Sequence, residues 1–279
     1  MKIICWGARG SIAVSGKEYV KYGGDTTCIE IRSKENEIII VDAGTGMRKL
    51  GNKLLAEEKR SYSVLLTHAH WDHLMGFPFF KPIYMKGAKI DLYGCPYAQD
   101  SVRSIIAKAM AAPYFPVDFS QLQSEITSHG VCSDHFQIGS ITVEPIQLSH
   151  PNQGVGYKFI EDGKTFVFLT DNELTLKHNG GGEYEDYLRF SEGADLLIHD
   201  AEYTEAQYKM TKGWGHSVYT DALRLAREAK VTQFGLFHHN QERSDAELDG
   251  MVDECRRIVE QEGGKINVFA AQAGMEIKL

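Results

Sequence analysis

Four side chains of the kinds that bind metal ions lie within six residues of one another, directly after an apolar run. The run at 63–66 is typical of a buried strand, and the cluster extends from His68 to His73. His68 and His70 alternate along extended backbone, so their side chains point the same way, while Asp72 and His73 follow in a turn and can face a second ion. Histidine and aspartate at such defined spacing indicate a metal centre rather than a surface loop that carries these residues without binding a metal. The fold must therefore deliver ligands from the end of a buried strand.

Three further candidate ligands lie at the ends of other apolar runs. His150 follows the run at 146–149, Asp171 follows the run at 166–170, and His238 follows the run at 234–237. Taken singly, each is more often an ordinary residue at the end of a strand. Together with the first cluster they complete a set that is sufficient for two metal ions. His239, the second residue of a histidine doublet, remains open as a replacement for His238.

Composition excludes several classes of protein. The 279 residues include 38 acidic and 30 basic side chains, a net charge of −8, which argues against broad binding of large nucleic acid or of anionic lipid. No apolar run approaches the roughly 20 residues that a membrane span needs. The five cysteines are scattered and odd in number, a pattern that predicts reduced thiols, a cytoplasmic location and no thiolate metal site.

The pattern of apolar residues predicts one α+β domain over residues 1–279, since neither a repeat nor a linker divides it. Helices are predicted over 47–59 and 217–229, and a third begins at the capping box that Ser244 forms with Glu247. Strands are predicted at 3–5, 28–31, 37–41, 62–67, 89–93, 141–148, 155–159, 165–170, 195–199, 233–237 and 267–270. Two sheets packed face to face, with helices outside, fit this order better than a simple alternation of strands and helices.

The run from His68 to His73 matches the HxHxDH motif of the metallo-β-lactamase superfamily. His150, Asp171 and His238 follow in the order of that superfamily's later metal motifs. The chain resembles the superfamily over nearly its whole length. The resemblance implies an αββα four-layer sandwich, in which two facing mixed β-sheets carry helices on their outer faces.

Within the superfamily the chain is similar to the phosphodiesterase branch, which includes the transfer-RNA 3′-end endonucleases and the phosphoribosyl cyclic phosphodiesterases. The glycine-rich loops at 7–11 and 22–28 and the DxGxG turn at 42–46 resemble the opening of that branch. The runs 197–201 and 215–217 resemble its paired HEAT and HST signatures. Two positions depart from these signatures: Asp200 stands in place of the glutamate, and Val218 in place of the threonine.

The resemblance implies two divalent transition-metal ions. Imidazole and carboxylate ligands without thiolate favour Zn²⁺, and Mn²⁺ or Fe would also be accepted. The first ion would be held by His68, His70 and His150, the second by Asp72, His73 and His238, with Asp171 bridging the two.

The implied chemistry is hydrolysis, with Asp72, Asp200 and His216 as catalytic candidates. Two adjacent ions lower the pKa of a bridging water, which supplies the attacking hydroxide, and they neutralise charge on the phosphoryl oxygens. His216, oriented by Asp200, would protonate the leaving alkoxide. The alternative is that His216 is idle beside a helix cap at Ser217. His199 ends an apolar strand and is interpreted as structural.

A small phosphodiester, such as a cyclic nucleotide or a cyclic ribose phosphate, is the predicted substrate. The alternative is processing of transfer-RNA 3′ ends, but the endonucleases insert a long basic arm where this chain has only residues 151–170. A thioesterase or a lactonase on the same scaffold is a further alternative, and a binding protein with a degenerate site is another. The resemblance leaves a homodimer open. Trp71 and Trp214 could stack on a substrate, line the pocket or pack in the core.

Overall fold

The computed structural model describes residues 1–95, 101–132 and 134–279, and the strands in these ranges form two sheets. The strands are β1 (Lys2–Gly7), β2 (Cys28–Arg32), β3 (Ile38–Val41), β4 (Ser61–Leu65), β5 (Lys89–Gly94), β6 (Glu125–Gly130), β7 (Phe136–Ile138), β8 (Ile141–Gln147), β9 (Val155–Glu161), β10 (Lys164–Leu169), β11 (Leu196–Asp200), β12 (Gln233–Phe237), β13 (Asn267–Ala270) and β14 (Glu276–Lys278). Among the described residues, the first sheet has the order β14–β1–β2–β3–β4–β5–β6 and the second has the order β13–β12–β11–β10–β9–β8–β7. Both sheets are mixed. In each sheet the strands toward one side pair in antiparallel fashion and the strands toward the other side pair in parallel.

The two sheets face each other across one apolar core. On β3, Ile39 and Val41 point into this core together with Phe166 of the second sheet, whereas Ile38 and Ile40 belong to a separate cluster on the outer face. The division follows from the two-residue period of a strand, which sends successive side chains to opposite faces of the sheet. Each sheet is therefore buried on both faces.

Helices cover the outer faces of both sheets. They are α1 (Met47–Ala56), α2 (Val102–Ala109), α3 (Tyr184–Ser191), α4 (Glu205–Thr211), α5 (Tyr219–Glu228) and α6 (Asp245–Gln261). Leu50 and Leu54 of α1 pack on the first sheet, and Leu225 of α5 and Leu248 of α6 pack on the second. This arrangement confirms the predicted α+β sandwich with four αββα layers. Within the described ranges, none of the helices has both the length and the apolar character that crossing a membrane requires.

The structure contains strands and helices that the apolar pattern does not predict. The added strands β6, β7 and β14 lie at sheet edges, and β6 and β14 have no buried residue. Such edge strands do not need the continuous apolar run by which buried strands are recognised. The added helices α2, α3 and α4 are only seven or eight residues long, too short to show a clear helical period.

Two of the five cysteines form a disulfide bond, so the prediction that all are reduced is wrong for this pair. Cys95 follows β5 and Cys132 follows β6, and the two strands pair in parallel up to Gly94 and Gly130. Parallel neighbours place the residues after them side by side, although the two cysteines are 37 positions apart in sequence. The sequence gives no sign of this pairing. Cys5, Cys28 and Cys255 are free and buried.

Candidate metal centre

The candidate ligands meet because the strands before them end at neighbouring edges of the two sheets. In the second sheet β10, β11 and β12 run parallel, and β8 runs in the same direction because β9 is antiparallel to both β8 and β10. Their carboxyl ends therefore lie at one edge, where the chain continues into His150, Asp171 and His238. The first sheet contributes the segment after β4, which begins with Thr67 and His68.

The structure brings together the first predicted group of ligands. One ligand atom from each of His68, His70, His150 and Asp171 lies within 4.8 Å of the others. His150 Nε2 is 3.1 Å from His70 Nδ1, and His68 Nε2 is 3.5 Å from Asp171 Oδ2. His70 is partly exposed and the other three are buried. The group is therefore accessible from solvent on the side of His70.

The second predicted group adjoins the first through Asp171. Asp72 Oδ2 lies 3.1 Å from His238 Nε2 and 3.3 Å from His73 Nε2. Asp171 Oδ1 is 3.2 Å from His73 Nε2, while Asp171 Oδ2 is 3.3 Å from His238 Nε2. Because one carboxylate also contacts His68 of the first group, it stands where the predicted bridge between two metal ions would stand.

Buried nitrogen atoms without hydrogen-bond partners show that these residues fit metal ions. His68 Nε2 and His73 Nε2 are both buried, and within the described chain neither makes a contact with hydrogen-bond geometry, although carboxylate oxygens lie 3.2–3.5 Å away. Leaving such atoms unsatisfied costs roughly 1–3 kcal/mol each unless something else binds them. Divalent transition metals bind imidazole nitrogen and carboxylate oxygen, the donor atoms that converge here.

The other ring nitrogen of several histidines has a partner that fixes the orientation of the ring. Asp42 Oδ2 lies 2.8 Å from His73 Nδ1, and Glu202 Oε2 lies 2.8 Å from His238 Nδ1. The backbone oxygen of Gly215 lies 3.0 Å from Nδ1 of the buried ring at 150. Carboxylates and carbonyls in this position hold a ligand's Nε2 toward the metal and increase its basicity.

Buried carboxylates give the second group a strongly negative potential. Burial holds the pKa of His68 well below its usual value and lowers the pKa of His150 to about 3. At His73 and His238 burial also acts to lower the pKa, but the neighbouring carboxylates outweigh it and raise the pKa of each ring well above its usual value. A field that stabilises positive charge on these rings also attracts a divalent cation.

Several residues of the centre have an unusual backbone conformation. Asp42, Asp171 and His238 all have positive φ angles, of 63°, 49° and 57°. Residues other than glycine seldom adopt this left-handed region, although Asp and His do so more often than most. Strained backbone of this kind tends to lie at functional sites, where the surrounding structure holds it in place.

The predicted pair of Asp200 and His216 lies beside the two predicted ligand groups, and His216 also forms a third candidate group with Asp171 and His238. His216 Nδ1 is 2.7 Å from Asp200 Oδ2, and the ring of His216 stacks on the ring of His238 at 4.7 Å. Burial acts to lower the pKa of His216, but the carboxylates of Glu202 and Asp200 outweigh it and raise the pKa to about 9. Ser217 Oγ bonds to the backbone of residues 172 and 174 and makes no cap for α5. The helix-cap alternative for Ser217 is therefore wrong.

The remaining histidines that the sequence left open lie outside the metal-ligand groups. His239 Nε2 bonds to the backbone oxygen of Ala271 at 2.8 Å, so it is His238 that joins the second group. His199 is fully buried and contacts Asn172 and the backbone of Asp200, in agreement with a structural role.

Two exposed tryptophans lie next to the centre along the chain. Trp71 follows His70 and is 74% exposed, and Trp214 lies two residues before His216 and is 63% exposed. These exposures exclude packing in the core. Lining the pocket or stacking on a substrate remain the two interpretations of each residue.

One carboxylate near the centre was not predicted from the sequence, and the role of a second was predicted only in part. Glu202 lies between His216 and His238. Two signs pointed to it: its place at the end of the run that resembles the HEAT signature, and its position two residues after Asp200, on the same side of an extended chain. Asp42 was assigned to a turn motif, but its carboxylate also binds Thr67 and thereby supports the first ligand cluster. Its position directly after β3 could have indicated this role.

A glycine lies against one of the proposed ligands. A Cβ at Gly10 would lie 2.2 Å from the ring of His238, whereas the next backbone N–H, that of Ser11, donates to Asp72 Oδ2 at 2.8 Å. Any side chain at residue 10 must therefore displace His238. The loop that resembles the opening of the phosphodiesterase branch is packed directly beneath the second ligand group.

Gly10→Ala is expected to weaken the second metal site and to spare the first. The added methyl group pushes His238 away from Asp72, so the metal content should fall from about two ions toward about one per chain. Gly250→Ala is the matched control, since a Cβ at Gly250 on α6 meets nothing within 4 Å. Elemental analysis of both purified variants measures the effect, and an unchanged metal content in Gly10→Ala would contradict the assignment of His238.

The chain matches one family of known proteins over most of its length. The profile of a family described as "Beta-lactamase superfamily domain" matches residues 37–239. The chain is 21% identical over 266 residues to ribonuclease Z of Oceanobacillus iheyensis, a match that covers 80% of this chain and 85% of that protein.

Solved structures agree with this comparison at the level of the fold. The metallo-beta-lactamase fold protein YhfI from Bacillus subtilis superimposes with a TM-score of 0.72 at 18% identity, and the match covers 99% of both chains. A diphosphatase from the PhnP family superimposes with a TM-score of 0.70 at 15% identity, and the match covers 100% of this chain and 97% of that one. At these identities the likeness supports the fold alone.

Proposed function

Because the chain belongs to the beta-lactamase superfamily, and because its buried histidines and aspartates form two adjoining groups of ligands, we propose that it is a binuclear metal-dependent phosphodiesterase. The predictions of superfamily membership and of a hydrolase on the metallo-β-lactamase fold are confirmed at the level of the family. The identity of the metal, the assignment of each ligand and the substrate belong to the proposal. The contact of Asp171 with histidines of both groups is the observation that carries it.

Seven side chains would hold the two ions, with Asp171 shared between the groups. Zn²⁺ suits this set of imidazoles and carboxylates best, and Mn²⁺ or Fe would also fit. When bound, two such ions supply an activated water near neutral pH and neutralise negative charge on a phosphoryl oxygen. The proposed ligands are His68, His70, Asp72, His73, His150, Asp171 and His238.

The protein's own residues would complete the reaction by handling a proton. Asp200 binds His216 at Nδ1, which leaves Nε2 as the nitrogen that can deliver a proton to the leaving oxygen. His216 is 8% exposed and stacks on a proposed ligand, so it is held beside the place where the ester would bind. A carboxylate that orients an imidazole in this way is a recurring arrangement in general acid catalysis.

The structure between His150 and Asp171 favours a small substrate. This segment consists of β9 and β10 in an antiparallel hairpin, which closes through residues 162 and 163 alone. No arm that could grip a large RNA is inserted here, and the chain carries a net charge of −8. The proposed substrate is therefore a small phosphodiester, with a cyclic nucleotide or a cyclic ribose phosphate as the leading forms.

Processing of transfer-RNA 3′ ends is the second candidate, and the curated relatives favour it over the small substrate. Ribonuclease Z sequences match this chain over 75% or more of its length. A thioesterase or a lactonase remains the further alternative, against which the pair of Asp200 and His216 argues. The cytoplasmic location stays a prediction, because the bond between Cys95 and Cys132 removes part of its basis.

A panel of substrates offered to the metal-loaded protein tests the proposal. Hydrolysis of phosphodiesters is expected to exceed that of phosphomonoesters, thioesters and lactones with matched leaving groups, and 2′,3′- or 3′,5′-cyclic nucleotides are expected to exceed precursor transfer RNA. Faster turnover of thioesters than of any diester would refute the proposed function. Efficient cleavage of precursor transfer RNA at one position would instead establish the second candidate.

A further inference from the structure

Glu173 is a buried carboxylate that neither group of ligands includes. It lies two residues after Asp171 and is 1% exposed. Burying a charged group costs several kcal/mol unless hydrogen bonds replace the lost water. Here four donors do so: Tyr208 Oη at 2.5 Å and Gly213 N at 2.8 Å bind Oε1, while His178 Nε2 at 2.7 Å and Gly215 N at 2.9 Å bind Oε2.

Two of these donors belong to the turn at residues 213–216, which ends in His216. Gly213 and Gly215 have φ angles of +90° and +93°, a conformation in which most other residues would be strained. Their N–H groups point to different oxygens of Glu173, so the one carboxylate fixes the turn at two points. The same turn presents the backbone oxygen of Gly215 to His150 at 3.0 Å.

We propose that Glu173 is a positioning residue, which clamps the turn at 213–216 and thereby places His216 for proton delivery. The clamp also orients His150 through the backbone oxygen of Gly215. The part of the inference that concerns proton delivery rests on the proposed function, whereas the clamp itself does not. The partners of Glu173 lie in this turn, on α4 and in the loop at 174–178, so the carboxylate joins these three segments rather than supporting the sheet.

Glu173→Gln tests the clamp because it preserves size but replaces one acceptor oxygen with an NH₂ group. In either orientation the amide turns its NH₂ toward one of the two glycine N–H groups, which then has no acceptor. The matched control is Glu161→Gln, since Glu161 is also buried but accepts from Ser140 and Lys34.

The first readout is the dependence of turnover on the leaving group. A displaced His216 should lower kcat about 10-fold to 100-fold on a diester with an alkoxide leaving group, part of the roughly 10²–10⁴-fold that general acids contribute. A nitrophenyl diester, whose leaving group departs without a proton, should lose less than about 3-fold, since it does not need the acid. Both rates are compared at equal metal occupancy.

The second readout does not depend on activity. The chain has three tryptophans, so labelling with fluorotryptophan gives three ¹⁹F resonances, at Trp6, Trp71 and Trp214. In Glu173→Gln the resonance of Trp214 should shift or broaden, while the other two stay at their wild-type positions. In the control variant none of the three should move.

The outcomes separate the clamp from the proposed function. An unmoved Trp214 resonance, or equal losses on the two diesters, would overturn the role of Glu173. If the wild-type protein hydrolyses no diester, the proposed function fails, and the Trp214 resonance alone then decides whether the clamp exists. Should Glu173→Gln not fold, Tyr208→Phe removes one of the four donors, and the same two readouts should change in the same direction by smaller amounts.

Discussion

Asp171→Ala is expected to lose most of both metal ions together with nearly all hydrolytic activity. One oxygen of Asp171 contacts His73 and the other contacts His68 and His238, so this carboxylate is the residue common to both ligand groups. Removing it takes one ligand from each site and removes the carboxylate that His68 and His150 contact. Loss of a ligand from a two-metal site removes both functions of the ions, water activation and charge neutralisation.

Elemental analysis and a diesterase assay on the same preparation measure this effect. Asp195→Ala is the matched control, because Asp195 pairs with Lys164 and lies at the opposite end of the second sheet, just before β11. The control should retain about two ions per chain. Full metal occupancy in Asp171→Ala would show that Asp171 does not bridge the two sites.

His216→Ala is expected to lower turnover while both ions stay bound. His216 belongs to neither of the two predicted ligand groups, although it also forms a third candidate group with Asp171 and His238. Because Asp200 holds its Nδ1 at 2.7 Å, we expect its loss to leave metal affinity nearly unchanged. General acid catalysis typically contributes about 10²–10⁴-fold, and a loss in that range is expected on a diester whose alkoxide leaving group needs a proton. A nitrophenyl diester should lose far less.

Comparing the losses of turnover on the two diesters distinguishes a general acid at His216 from a residue that binds the phosphate or the metal. Asp200→Asn should show the same pattern more weakly, because it removes the orienting charge but keeps the imidazole. His199→Ala, a neighbouring histidine that contacts Asn172, should show no dependence on the leaving group. Equal losses on both diesters in His216→Ala, at equal metal occupancy, would assign His216 to binding the phosphate or the metal instead.

The candidate ligands could be predicted from the sequence because each of them lies in a short local pattern that can be recognised. The run from His68 to His73 is contiguous, and His150, Asp171 and His238 each end an apolar strand. Strands that run in the same direction end at one edge of a sheet, as β8, β10 and β12 do here, so the motif and the pattern of strands together indicate the cluster. Two facing sheets with helices outside followed from the same strands, whereas the αββα order of the layers followed from the resemblance to the metallo-β-lactamase superfamily.

The residues that hold the ligands in place could not be predicted in the same way. Glu202 and Glu173 act through hydrogen bonds to His238 and to the turn at 213–216. Glu202 stands where the HEAT signature has a threonine, and Glu173 lies in no recognisable motif. Their roles depend on φ angles and distances that exist only once the chain has folded. The bond between Cys95 and Cys132 was missed for a related reason, since it depends on the pairing of two parallel strands.

Titration of the metal-free protein with Zn²⁺, followed at each step by a nitrophenyl diesterase assay, tests the central claim most directly. Two adjoining groups of ligands predict that activity appears with bound metal and reaches its plateau at about two ions per chain. A chelator should then abolish the activity, and renewed Zn²⁺ should restore it. Full diesterase activity in the metal-free protein, or a plateau at one ion per chain, would contradict a binuclear phosphodiesterase.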